Sequence, residues 1–319
     1  MNNIKGIFLS ILFCFLAFSM AYAIDPTDIG VGARPLAMGK AYTAVADDGS
    51  AMFINPAGLS TSNSLKIVSM NGNLLSEIPY TMMGISQPML GGNVAIGYVG
   101  LGVAGIQEST LSGITPEVTG NEGSFFNSVI NVSYSTGLER VPVLNKLNGG
   151  ILKNAKVGTS VKFFSQEYTG ASSFDNGDSG GVDIDLGLIS EINDNMAIGC
   201  TVKNLIPGNN MNSDEFPMST TIGIANKFNK IDLLTAVDLE ISEMLLLHLG
   251  VEWKPMKFLS IRAGLDQQPS AGEVATNFST GLGFDIKGFM FDYAYHTYAD
   301  LSELTTHYFS IGYNLESKK

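Results

Sequence analysis

Stretches of about ten residues in which apolar side chains alternate strictly with small or polar ones recur along this chain. That pattern limits its fold more than any other feature. MLLLHLGVEWK puts Leu245, Leu247, Leu249, Val251 and Trp253 on one face of an extended strand, and Leu246, His248, Gly250, Glu252 and Lys254 on the other. KFLSIRAGLDQ sets Leu259, Ile261, Ala263 and Leu265 against Ser260, Arg262, Gly264 and Asp266, and NFSTGLGFDIK and GVDIDLGLI behave alike. A soluble sandwich also alternates, with its apolar face turned to a core. Soluble strands average about five or six residues, however, whereas a tilted membrane strand needs about ten. Only 15% of the residues are charged and 36 are glycine, against roughly 25% charged in soluble domains. Apolar faces for lipid, and small or charged faces for a wet lumen, account for both figures.

The N-terminus agrees with export. Lys5 precedes an apolar run from Ile7 to Phe18, and Ala21-Tyr22-Ala23 has the small-x-small form of a cleavage site. This predicts a signal peptide over 1–23, too short for a membrane span. Cys14 falls inside it, which leaves Cys200 alone, with no internal disulfide and no Cys/His metal cluster to be made. No later apolar run is long enough for a transmembrane helix. A net charge of −12 argues against nucleic acid as a partner.

Alternation and turn residues together predict fourteen strands, near 64–72, 79–88, 92–103, 125–137, 154–168, 181–192, 195–205, 217–228, 231–241, 243–254, 257–266, 276–287, 289–298 and 306–315. Asn193-Asp194, Asn229-Lys230 and the stretch around Pro255 read as short turns. The stretches 106–124, 138–153 and 168–180 read as long polar connections. The expected fold is all-β: a transmembrane antiparallel barrel of about fourteen strands over 63–319, with an N-terminal appendage.

GVGARPLAMGKAYTAVADDGSAMFINPAGLS (30–60) resembles the N-terminal signature of the PorV/PorQ (UPF0164-type) outer-membrane proteins, relatives of the FadL fatty-acid transporters. The resemblance continues through IGCTVKNLIPG (198–208), LTAVDLE (234–240), IRAGLDQ (261–267), STGLGF (279–284) and FDYAYH (291–296). It implies a fourteen-stranded barrel whose segment 24–62 folds back into the lumen as a plug. An Asn-Pro-Ala element belongs to that hatch in the FadL-type proteins, and matches Asn55, Pro56 and Ala57 here. The same relatives use a kinked third strand as a lateral gate. The third predicted strand carries Gly97, Gly100, Gly102 and Gly105, so these are the candidate gate residues.

Several clusters need weighing within that frame. Asp47 and Asp48 do not continue as a calcium loop. They read as turn acceptors and as partners of a buried cation, with Arg34 nearest. Pro56 biases Asn55 toward extended backbone, and Gly58 is expected to let the chain turn toward the first strand. The acidic stretch 174–185 matches no calcium motif and reads as a polar loop entering a strand. Asp292 and His296 share a strand face, with Ser310 on the next strand, an arrangement that reads more simply as a luminal hydrogen-bond network than as a Ser-His-Asp triad.

The sequence thus predicts a plugged channel in the bacterial outer membrane for hydrophobic or amphipathic small molecules. It contacts membrane lipid, has no cofactor or metal, and is not an enzyme. The alternative that the PorV/PorQ resemblance implies is a non-transporting barrel acting as a partner or shuttle among type IX secretion-system proteins.

Overall fold

The computed structural model describes residues 25–316 except 62, 75–76, 113–114, 143–151, 153, 171–177, 207–209, 212–213, 271–272 and 300–304. The signal peptide expected over 1–23 lies outside these residues, as does part of the acidic stretch 174–185. The strands are Ser64–Leu74 (β1), Ile78–Met89 (β2), Gly92–Ser112 (β3), Thr115–Gly137 (β4), Lys156–Thr169 (β5), Ser179–Asn193 (β6), Met196–Lys203 (β7), Asn210–Met211 (β8), Asp214–Glu215 (β9), Ser219–Phe228 (β10), Leu233–Ile241 (β11), Leu245–Met256 (β12), Leu259–Ser270 (β13), Glu273–Ile286 (β14), Phe289–Thr297 (β15) and Thr305–Glu316 (β16). Fourteen of them close into one antiparallel barrel, with β16 returning to β1, while β8 and β9 form a separate two-stranded piece. All fourteen segments expected from the alternation are barrel strands.

The alternation is inside out relative to a soluble protein. Leu245, Trp253, Ile261, Phe278, Phe284 and Val182 are exposed on the outer face. Lys162, Asp183, Asp185, Glu252, Arg262 and Ser279 are buried on the inner one. A continuous apolar exterior over strands of this length suits lipid contact.

The barrel has two unlike ends. One carries tight turns, including the two-residue hairpins Leu90-Gly91 and Lys287-Gly288, in which both residues have positive φ (57° and 76°, then 54° and 86°). That is the geometry of a type I′ turn. The start of β1 and the end of β16 lie at this end. The other end carries the extended β3–β4 ribbon and the β5–β6, β7–β10 and β15–β16 connections, while the long β4–β5 connection (138–155) belongs to the tight-turn end. In barrels of this kind short turns face the periplasm and long loops face outward.

One expected loop is corrected. Residues 106–124 read as a polar connection but belong to β3 and β4, which run 21 and 23 residues. Pairing of β3 with β2 stops at Leu101–Tyr80, and pairing of β4 with β5 stops at Ser124–Thr169, so the ribbon continues beyond both neighbours. A ribbon with water on both faces needs no apolar face, so it leaves no period-two signal to read.

Inside, small residues form a belt. Gly84 stands opposite Gly97, Gly158 opposite Gly187, Gly199 opposite Gly223, and Gly250 opposite Gly264. A Cβ at Gly158 would land on the backbone of Pro56 and Ala57, one at Gly199 on the carbonyl of Thr43, and one at Gly264 on Gly39. The missing side chains leave room for a backbone, that of residues 25–61.

Replacing Gly158 with Val forces that backbone off its seat. Overpacking of this kind costs about 1–3 kcal/mol. The variant is expected to keep the heat-modifiable gel migration of a closed barrel while residues 25–61 become cleavable by added protease. Unchanged protection of the segment would contradict the seat.

Candidate functional site

The luminal segment consists of three short helical turns, Pro26–Ile29 (α1), Ala33–Ala37 (α2) and Ala51–Ile54 (α3), followed by a 3-10 turn over Pro56–Thr61. Asp25 caps α1, its Oδ1 accepting from the Thr27 amide at 2.8 Å, with Pro26 pre-set at the first helical position. Asp48 organises the entry to α3, its Oδ1 accepting from the Ser50 amide at 2.8 Å. None of these turns is long enough to be stable alone. The barrel wall holds them.

Wall side chains meet the segment's backbone at nearly every step. Ser310 Oγ accepts from the Ala33 amide at 2.8 Å, and Ser279 Oγ from Gly39 at 3.1 Å. Asp238 Oδ2 accepts from both Tyr42 (2.9 Å) and Thr43 (2.8 Å). Asn131 and Ser160 donate to the Met52 carbonyl at 3.1 and 3.0 Å, and Ser135 to that of Ala57 at 3.0 Å. Lys66 donates to the Asp47 carbonyl at 2.7 Å, and the Tyr80 hydroxyl lies 2.9 Å from the carbonyl of Pro26 and 3.0 Å from that of Gly30.

Two ionic clusters add to these bonds. Toward the tight-turn end, Arg34 places Nε 2.8 Å from Glu252 Oε2 and Nη2 3.1 Å from Oε1, a bidentate grip on β12. Its Nη1 lies 2.5 Å from Asp47 Oδ1 and 3.7 Å from Asp48 Oδ2. Burial disfavours the Arg34 charge, but the carboxylates of Asp47 and Glu252 outweigh it and hold the guanidinium well above its ordinary value. Glu252 is shared with Arg262 at 2.7 Å. Deeper in the lumen, Lys162 on β5 lies 2.9 Å from Asp25 and 3.1 Å from Asp185. Burial would raise Asp25, but Lys162 and Lys203 outweigh it and keep its carboxyl below the usual range.

The other expected site residues fall as follows. Asn55 Nδ2 donates to the Thr43 carbonyl (2.8 Å) and to Leu188 on β6 (3.2 Å), and its Oδ1 accepts from Ala57 at 3.2 Å. Pro56 and Ala57 pack on Gly158 and Gly187. Gly58 does not adopt a positive φ, so turn freedom is not its role; a Cβ there would strike the Ala46 carbonyl. Gly97 faces Met52 and Phe53, while Gly100 lies beyond it, and both are paired with β2 and β4. Gly102 is the first residue of β3 without a β2 partner, and Gly105 (φ +73°) sits in a bulge beyond.

The weighed triad does not assemble as one network, although Asp292 and Ser310 stand opposite each other on β15 and β16. Asp292 pairs with Arg262 at 2.6 Å, His296 with Asp266 at 2.7 Å, and Ser310 with Ala33. Asp185 is paired with Lys162 at 3.1 Å, and the Ile206 amide donates to Asp183 at 3.0 Å. Lys162, Glu252, Asp238 and Tyr80 were not singled out from the sequence. Their signal was present, as isolated polar residues at inner-face positions of otherwise small or apolar rows.

Between the luminal segment and the long-loop end is a cavity of about 650 Å³. Its floor includes Ile29, Val31, Leu36 and Ile54, and its walls include Leu74, Ile78 and Leu246 together with Lys203, Glu240 and His248. Most of its surface is apolar, but Asp28, Lys40, Glu243 and Gln267 line it as well, and it is in the size range of small-molecule sites.

No protein-family model matches the chain, and no curated protein sequence matches it. Solved structures do. The monoaromatic hydrocarbon channel CymD is 14% identical with a TM-score of 0.63, over 93% of this chain and 100% of that one. The toluene transporter TodX of Pseudomonas putida is 14% identical with a TM-score of 0.60, over 93% and 98%. A FadL homologue of Pseudomonas aeruginosa is 10% identical with a TM-score of 0.58, over 93% and 100%. At such identities the likeness is one of fold. The chain folds as a FadL-like, fourteen-stranded barrel.

Lys162→Met would leave Asp25 and Asp185 buried without that cation, a loss of about 3–5 kcal/mol for a broken buried pair. Arg34→Leu leaves Glu252 still paired with Arg262 and is expected to cost less. Thermal midpoints of the heat-modifiable band rank the two, and the reverse order would contradict the assignment of Lys162 as the stronger anchor.

Proposed function

We propose that this protein is an outer-membrane channel that passes hydrophobic or amphipathic small molecules, with residues 25–61 as its plug. The observation that carries the reading is the 650 Å³ cavity, reached from the long-loop end and floored by the plug. The apolar exterior supports a place in the outer membrane. The fold shared with CymD and TodX, a hydrocarbon channel and a toluene transporter, supports the ligand class. The secretion-partner alternative draws no support from these neighbours.

The exit runs sideways. A straight path to the tight-turn end would require backbone to leave the glycine belt and break the Arg34 and Lys162 clusters together. The β2–β3 seam is weaker. Its ladder ends at Tyr80–Leu101, one residue before Pro79, whose nitrogen has no hydrogen to donate. Ile78 beside it lines the cavity, and Gly102 and Gly105 open the β3 side. Tyr80, bonded to the plug at Pro26 and Gly30, holds the adjoining floor. Catalysis has no part in this reading, which is supported by the separate partners of Asp292, His296 and Ser310.

Proteoliposome uptake of toluene tests the proposal. The wild type is expected to admit it several-fold faster than protein-free vesicles, and Gly102→Leu to slow it toward that background. Uptake equal to protein-free vesicles would sink the channel reading. Full uptake by Gly102→Leu would sink the lateral exit.

A further inference from the structure

The charges of this barrel are sorted by end. Among the described residues at the long-loop end, those of 77–78, 102–112, 115–124, 166–170, 178–180, 204–206, 210–211, 214–218, 241–245, 268–270, 273–275, 297–299 and 305–306, there is no lysine or arginine. Exposed carboxylates stand there instead, among them Glu77, Glu122, Glu167, Asp178, Glu243 and Glu273. Among the described residues the exposed lysines, Lys227, Lys230, Lys254, Lys257 and Lys287, are at the tight-turn end, where Glu139, Glu191, Asp194, Asp232 and Asp285 offset much of their charge. Among the described residues, a molecule approaching the cavity therefore meets carboxylates at the mouth before it meets Lys40 and Lys203 within.

The cavity itself repeats the bias. Lys203 is held by Asp28 at 3.1 Å, and Lys162 below it by Asp25 and Asp185. Lys40 already donates to the Asp28 carbonyl at 3.0 Å. Glu243 lines the rim with no cation partner among the described residues. His248 lines the wall at 4% exposure. Its Nε2 lies 3.3 Å from Glu240 Oε2, and its Nδ1 has no hydrogen-bond partner among the described residues. Of the two lysines that line the cavity, Lys203 is paired with Asp28 and Lys40 donates to a backbone carbonyl, against the carboxylates of Asp28, Glu240 and Glu243.

We infer that this cavity selects by charge, taking neutral or cationic amphiphiles and turning away carboxylates of the same size. The inference rests on the channel reading for its site. A mouth lined by one sign of charge, with low-dielectric walls, changes entry rates by roughly 10- to 1,000-fold. Salt shortens the reach of that field to about 10 Å at 0.1 M and about 3 Å at 1 M.

Benzyl alcohol, benzylamine and benzoate, alike in size and different in charge at pH 7, make the test. Binding to the full-length protein is measured by calorimetry in a non-ionic detergent, and flux separately in proteoliposomes of neutral lipid. Benzoate is expected to bind and enter at least about tenfold more weakly than benzyl alcohol at 20 mM salt, with most of the difference lost at 1 M. The variant Glu77→Gln/Glu167→Gln/Glu273→Gln, whose residues lie outside the cavity, should narrow the gap at low salt. Its fold is checked by heat-modifiable migration, and the wild-type salt series stands if the variant misfolds. Benzoate matching benzyl alcohol at low salt, or a gap indifferent to salt, overturns the inference. Charge-ordered binding without flux of any probe would instead overturn the channel reading and leave the selectivity intact.

Discussion

The structure depends on an absence, the missing side chains of a glycine belt on the inner face of the barrel. A fourteen-stranded barrel encloses more volume than its own inward side chains can fill, and this chain fills the remainder with its N-terminal segment. Backbone can approach a strand closely only where the strand has no Cβ. The facing pairs Gly158–Gly187, Gly199–Gly223 and Gly250–Gly264 provide such surfaces on six strands, and Gly84–Gly97 makes room for the Met52 and Phe53 side chains. Glycine weakens a strand, but here each is paired on both sides in a closed barrel, and the segment's contacts offset the loss.

Close approach alone would leave the segment's amides and carbonyls buried without partners, which costs as much as a lost hydrogen bond apiece. The wall answers with short polar side chains beside the glycines: Ser135, Ser160, Ser279, Ser310, Asn131 and Asp238. Each reaches a backbone atom of the segment. The longer charged residues, Lys66, Lys162 and Glu252, reach it from farther off, and their partners are also carboxylates, guanidiniums or carbonyls. The inner face is therefore built for backbone recognition, which explains why α1, α2 and α3 can be so short. Their hydrogen bonds are completed by strands far away in sequence.

That distance marks where the sequence becomes unreadable. The strands were legible because each outward residue can be covered only by lipid, so every second position is apolar. The small inner face was legible too, as a row of Gly, Ser and Asp. What the small face receives was not. Arg34 and Glu252 are 218 residues apart, and Asp25 and Lys162 are 137, separations at which no periodicity connects one partner to the other. The extension of β3 and β4 escaped for the opposite reason, since strands wet on both faces carry no alternation. Gly58 shows a subtler limit. Glycine in a turn-like sequence suggests a special φ, whereas the demand here is for space beside Ala46, and a sequence does not distinguish the two.

The same division separates fixed parts from parts free to respond. Residues 33–61 are fastened by the belt, by the wall's short polar side chains and by the Arg34 cluster. Residues 25–32 rest on fewer supports, among them Lys162, Lys203, Lys40 and the Tyr80 hydroxyl. Those supports adjoin the cavity and the end of the β2–β3 ladder. A ligand that displaces Tyr80 from Pro26 and Gly30 would therefore loosen the cavity floor and the seam together, without disturbing the belt. Local opening follows the weakest set of contacts, and under the channel proposal that set would lie between the chamber and the wall rather than along the axis.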